Sequence, residues 1–439
     1  MRDIAVTLAV FGALPFILWR PWTGIIVWTW LGFMNPHRLA WGFSTTMPFA
    51  YIVALTTLFA LLVSKEPKRI PWTRESIVLL LFVCWMVITT IFAAYPELAQ
   101  QQLIKVLKIQ LMIFVAMMLI TNKERLNTLV LTIALSIGFY GFKGGIFTIA
   151  HGGVYRVQGP YGSFIGGNNE LGLAMAMTVP LLYYCGREAK QSWLRFALYT
   201  TMVLSAIAAI GTQSRGALLG MAAMGVMFWA KSKRKFAITI FAAIAILSVV
   251  AIMPPEWYAR MSTINTYEQD QSALGRINAW WMAWNLAKSR PLGGGFETFR
   301  YEMFQIYAPD PGDYRDAHSI YFKVLGEHGF VGLGLFLLLA VFTWLSASKL
   351  MRETKAVPEM RWLGELAAMV QVSMIAYATA GAFLGLSYFD YYYNLVLIII
   401  VGRVILDRHM AEAVPAGRTE GQLNPASSVY SATGSTAVR

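Results

Sequence analysis

Charge is the scarcest commodity in this chain of 439 residues: Asp, Glu, Lys and Arg together make up 13% of it, whereas 57% is hydrophobic. A soluble protein of this length cannot hide that much apolar surface, so the excess has to face lipid. Cysteine is nearly absent. Cys84 and Cys185 both fall inside apolar runs, which argues for inert core thiols and against a disulfide scaffold. Histidine is also rare, with five in all, and no His or Cys pair has metal-ligand spacing, so no metal site is expected. The N-terminus lacks a signal-peptide cleavage pattern. Ala5 to Trp19 runs into Arg20-Pro21 and a second apolar run, as a retained segment would.

What is abundant is the apolar run. Thirteen segments have helical length and composition: 4–19, 23–34, 46–63, 77–95, 103–121, 126–145, 170–185, 195–211, 216–230, 236–253, 330–348, 363–383 and 386–406. The first two are short and split by Arg20-Pro21, so the expected fold is all-α, a polytopic membrane protein of about 12 transmembrane helices. Residues 1–406 form the membrane domain, and the Gly-, Ser- and Thr-rich segment 407–439 is expected as a disordered cytoplasmic tail.

The net charge of +13 sets orientation, since no nucleic-acid motif accompanies it. Every second loop is basic: Lys65, Lys68, Arg69 and Arg74; Lys123 and Arg125; Arg187, Lys190 and Arg195; Lys231, Lys233, Arg234 and Lys235; Lys349, Arg352, Lys355 and Arg361. These loops are expected in the cytoplasm, which puts the loops near 96–100, 146–169, 211–216, 254–318 and 384–390 on the periplasmic side of a bacterial inner membrane. Only 254–318 is long. Within it, Leu274 to Lys288 reads as an amphipathic helix lying in the outer leaflet. Ile277, Trp280, Trp281 and Trp284 fall on one side, with Asn278, Asn285 and Lys288 elsewhere.

Three short segments on that side can carry chemistry. Arg215 follows Gly211-Thr212-Gln213-Ser214 between two apolar helices with almost no loop to spare. Ser214 can cap the next helix, so free N–H groups, the helix dipole and a guanidinium converge into an anion site. An Arg that snorkels to headgroups or pairs with an Asp is the competing reading. His318, in Asp316-Ala317-His318-Ser319, lies where the long loop returns to the membrane and a helix begins. A helix N-terminus disfavours imidazolium, leaving a neutral ring able to take a proton. Arg276, beside the Trp residues, is a weaker candidate for a lipid diphosphate. The Gly- and Asn-rich loop from Tyr155 to Glu170 can lay amides along a sugar; Arg156 and Asn169 there, and Glu327 further on, are further substrate-binding candidates.

In order, the motifs are an outer Gly/Asn-rich loop, Ser214-Arg215-Gly216, a long loop holding Gly275-Arg276, and HSIYFKVLGEHGFVG at 318–332. This order resembles the O-antigen ligase and O-antigen polymerase superfamily, with Ser319 standing where the family usually has Asn. WLGFMNPHRLAWG at 30–42 looks like the exosortase-associated O-glycosylation ligases. The resemblance implies a metal- and cofactor-free glycosyltransferase that moves an undecaprenyl-diphosphate-linked glycan to an acceptor sugar such as lipid A-core. It puts the family's two diphosphate arginines on Arg215 and Arg276 and its general base on His318. Within the class, a polymerase or a protein O-oligosaccharyltransferase remains open. A transporter or flippase is the more distant alternative, against which stand the absence of an internal repeat and the sparse intramembrane charge apart from Lys105, Lys108, Lys143 and Lys323.

Overall fold

A computed structural model describes the chain except residues 233–234, 237–238, 241–242, 244–246, 248–250, 252, 263–269 and 414–439. The described residues are helical, with no strand among them. In chain order the α-helices are α1 (Arg2–Trp19), α2 (Trp22–Met34), α3 (Phe49–Val63), α4 (Arg74–Ile91), α5 (Pro96–Leu119), α6 (Lys123–Ala150), α7 (Asn168–Glu188), α8 (Ser192–Gly211) and α9 (Arg215–Lys231). Then come α10 (Pro255–Ser262), α11 (Gln271–Ser289), α12 (Tyr301–Tyr307), α13 (Ile320–Glu353), α14 (Arg361–Gly381) and α15 (Asp390–Ala413).

Seven of these, α1, α4, α5, α6, α8, α13 and α14, are long and apolar enough to cross a membrane, and α2 and α3 are shorter apolar helices. The chain is therefore a multi-pass membrane protein. Two further helices form the middle of the bundle. In α7, Leu171 to Met177 are buried, and in α15 so are Tyr391 to Val401, because protein surrounds both helices on every side. The Thr178 hydroxyl meets the Tyr391 hydroxyl at 2.9 Å, and the Ser373 hydroxyl donates to the Met177 carbonyl at 2.7 Å. The expected segment 236–253 lies largely outside the described residues.

Polar contacts mark the two ends of the bundle. At one end Arg125 pairs with Glu66, Lys123 with Glu188, Arg187 with Glu365, and Arg403 with Glu353. At the other, Asp3 accepts from the Ser44 hydroxyl and the Gly42 and Ser44 amides, so α1 and α2 form a hairpin whose ends meet there. At the same end the Ala94 amide donates to Gly294, the Val157 amide to Gly211, and the Ser387 hydroxyl to Ile320.

Three expectations need correcting. Helix α15 continues to Ala413, beyond the boundary expected at 406, and residues 414–439 of the expected tail lie outside the described residues. Cys84 is exposed, on a stripe of α4 with Ile77, Leu80, Leu81, Ile88 and Ile91; a membrane helix can turn an apolar face outward. The helix expected at 274–288 is α11, but its faces differ from the expected ones. Ala279, Met282, Ala283 and Leu286 are its buried stripe, packed with Phe304 of α12. Trp281 and Trp284 stay exposed, whereas Trp280 turns inward and stacks on Phe322 at 5.0 Å. Small residues at helical spacing let α11 approach α13 closely, and that contact outweighs the preference of indole for headgroups.

Helix α13 breaks at Gly329, whose φ of 65° lies in the left-handed region. A β-carbon there would overlap the Pro291 carbonyl oxygen. The break releases three carbonyls from the helical ladder, and each finds another donor: Gly294 N–H for Gly326, Gly295 N–H for Glu327 at 2.8 Å, and the Trp85 indole for His328 at 2.8 Å. The loop from Gly293 to Glu297 is thereby locked against the first turns of α13.

Candidate functional site

Helix α8 ends at Gly211 and α9 starts at Arg215, so the reversal is made in three residues. Gln213 takes a φ of 55°, a conformation that costs a residue with a β-carbon. Its buried amide offsets the cost. The Nε2 group donates to Gly153 and Val154, and Oε1 accepts from Arg156 Nε at 3.2 Å. Asn168 Nδ2 donates to the Thr212 carbonyl at 2.8 Å. The Gly/Asn-rich loop is in this way fastened to the Arg215 turn, and α7 begins beside α9. Ser214 caps α9 by accepting the Ala217 amide at 3.2 Å, as expected from its position.

Arg215 Nη1 lies 2.5 Å from Asp270 Oδ2, and each side chain is about four-fifths buried, at 19% and 18% exposure. The other oxygen of Asp270 caps α11, accepting the Ser272 amide at 2.9 Å. One carboxylate thus joins the N-termini of α9 and α11. Burial pushes the Asp270 carboxyl up, but the Arg215 and Ser272 hydrogen bonds and the charge of Arg276 outweigh it and hold it below the usual range. Arg276, one and a half turns into α11, therefore acts on the same anion that Arg215 grips.

The segment leading to His318 is pinned by α11. Asn278 Nδ2 donates to the carbonyls of Asp310 and Asp313, and Asn278 Oδ1 accepts the Asp310 amide. The Trp280 indole donates to the Ala317 carbonyl at 2.8 Å. Trp280 also lies against Phe383, whose β-carbon faces Gly216 at the start of α9. Phe383 is thus a wall shared by the Arg215 turn and the His318 segment.

His318 has a φ of 43°, and α13 begins two residues later. Its ring is half-buried, and no ring hydrogen bond is present among the described residues. Burial holds the imidazole below its ordinary value. Asp316 and Glu170 pull it up, and Arg276 and Lys323 push it down. The charge of Arg276 is felt both by Asp270 and by His318.

The remaining candidates divide. Arg156 is fixed to Gln213, and Asn169 is half-buried in the first turn of α7, beside the Asn168 that holds the Arg215 turn. Glu327 is fully buried, and its carboxylate is used within the protein: Oε1 accepts the Glu297 amide at 3.0 Å and Oε2 the Tyr388 hydroxyl at 2.5 Å. His328 is also fully buried, with Nδ1 2.7 Å from the Thr89 hydroxyl. Among the described residues no three His, Cys, Asp or Glu side chains gather as metal ligands would. Sequence reasoning missed Asp270, although Asp270-Gln-Ser-Ala before a periodic run is an N-cap signal. It missed the inward turn of Trp280 as well, which no local pattern announces.

Two comparisons bear on this arrangement. Residues 1–190 match a family of unknown function. None of the curated proteins matches the chain. Residues 200–337 match the family model described as O-Antigen ligase, a stretch that contains Arg215, Asp270, Arg276 and His318 and supports placement in the O-antigen ligase superfamily.

Proposed function

Starting from the O-antigen ligase match over residues 200–337, we propose that this protein joins an undecaprenyl-diphosphate-linked, O-antigen-type polysaccharide to a lipid A-core sugar. The reaction takes place at the periplasmic face of the bacterial inner membrane. The gathering of the Lys- and Arg-rich loops at the opposite end supports a cytoplasmic position for them and for the C-terminal end of α15.

The observation that carries the reading is the set of interactions that ties Arg215, Arg276 and His318 to one end of the bundle. Asp270 links the first two, and Arg276 and Phe383 link them to the third. The donor's diphosphate lies against the two guanidiniums and the N-termini of α9 and α11, where charge neutralisation does the work a metal does elsewhere. His318 takes the proton from the acceptor hydroxyl as that oxygen bonds to the anomeric carbon. The bond from that carbon to the diphosphate oxygen breaks, and undecaprenyl diphosphate leaves with the electron pair. A single displacement inverts the anomeric centre. The leaving group is already a stable anion, so no general acid is needed. A half-buried imidazole kept below its ordinary value is in the base form at neutral pH. Arg156 and Asn169 line the side on which sugars extend, and Glu327 acts from behind by tying α13 to the Glu297 loop.

The test is ligation in vitro with purified protein, lipid-linked glycan and lipid A-core acceptor. Glycosylated lipid A-core is the expected product. Chains lengthened on the lipid carrier would instead indicate a polymerase, and the absence of any transfer would refute the reading.

A further inference from the structure

The His318 backbone is held from both sides. On one side is the Trp280 bond to the Ala317 carbonyl. On the other, Asp316 Oδ2 faces the His318 amide at 3.4 Å. A left-handed residue that carries a side chain costs about 1–2 kcal/mol, so its conformation needs such supports. The other oxygen of Asp316 accepts from Lys323 Nζ at 2.8 Å. Lys323 lies one turn into α13 and is 16% exposed. The pair is pressed against Gly385. A β-carbon there would lie 2.5 Å from Asp316 Oδ2 and 3.6 Å from Lys323 Cδ, so a larger residue in the α14–α15 turn would press the carboxylate out of its place.

The charged groups that face His318 are Asp316 on its own segment, Arg276 on α11, Glu170 at the start of α7 and Lys323 on α13. Glu327 and Glu297 also face Lys323. An uncompensated carboxylate at Asp316 would favour imidazolium and remove the base. With Lys323 bound to it, the same carboxylate can hold the backbone without drawing a proton onto the ring.

We propose that Lys323 and Asp316 form a positioning pair for His318, in which Lys323 cancels the charge of Asp316 so that the carboxylate anchors the His318 backbone while the imidazole remains uncharged. The proposal rests on His318 being the base, but its test needs no turnover. The full-length protein, labelled with [¹³Cε1]histidine and reconstituted in phospholipid nanodiscs, is titrated by NMR. The His318 signal, one of five, is identified by its loss in His318→Gln. In Lys323→Met the His318 midpoint rises by about one pH unit, in Asp316→Asn it falls, and in Lys323→Arg it stays. A merely structural role would not move the two variants in opposite directions. Coincident curves for wild type, Lys323→Met and Asp316→Asn would overturn the proposal. If Lys323→Met does not insert, Asp316→Asn decides alone: a lowered midpoint supports the pair and an unchanged one refutes it. Full ligation by His318→Ala would instead remove the base reading and leave the titration result standing.

Discussion

Replacing Arg215 by alanine removes the group that the Asp270 carboxylate and, in the proposed mechanism, the donor diphosphate both use. The pair is short, at 2.5 Å, and both side chains are about four-fifths buried. At 4 Å and an effective dielectric near 20, two unit charges attract by about 4 kcal/mol. Desolvation reduces the net value of a hydrogen bond to a charged group to about 1.5–3 kcal/mol. The same range applied to the diphosphate gives Arg215→Ala a loss in donor affinity of roughly 10- to 100-fold. Asp270→Asn separates the two partners. Asparagine still caps α11, but the internal counter-charge is gone, and the Arg215 guanidinium binds the diphosphate several-fold more tightly. The assay is binding of undecaprenyl diphosphate to protein in nanodiscs, with thermal unfolding measured in parallel to show that both variants remain folded. Equal affinity in wild type and Arg215→Ala would refute the assignment. Loss of binding in Asp270→Asn would show that the aspartate contacts the donor or is needed for the pocket, contrary to the role argued for it.

Three further outcomes are expected. His318→Ala lowers the ligation rate by about 10²–10⁴-fold with little change in donor affinity, and retained turnover would exclude it as base. In the wild type the rate is maximal where His318 is neutral and falls as pH drops through its midpoint. Because burial holds that midpoint below the ordinary 6.5, more than half the maximal rate remains at pH 6.5, and a pH–rate profile showing an acid limb above that value would contradict the burial argument. Activity survives EDTA, and its abolition with rescue by a divalent ion would overturn the arginine-based neutralisation. Gly329→Ala imposes a left-handed alanine and an overlap with the Pro291 carbonyl oxygen, a loss of more than about 2 kcal/mol, visible as a lowered unfolding temperature in detergent.

The membrane class, the position of most helices and the two ends of the bundle were readable along the chain, because lipid imposes a length and a hydropathy on each crossing that no distant contact can override. Arg215 stood out for the same reason, as a costly cation between two apolar runs, and Ser214 announced the helix that starts there. The boundary of α15 and the outward face of Cys84 were not readable: apolar composition does not say whether a face meets lipid or protein.

Residue order alone led to the expectation that a cation, a long loop and a histidine would come to one end of the bundle, since alternation of crossings is a property of sequence and solvent together. Only the tertiary structure decided how they meet. Asp270 pairs with Arg215 across 55 residues, Trp280 turns inward against Phe322, and Lys323 reaches back to Asp316. Such pairings depend on which helices pack side by side, and that is set by the fit of small and large side chains between neighbours, not by the period of any one segment.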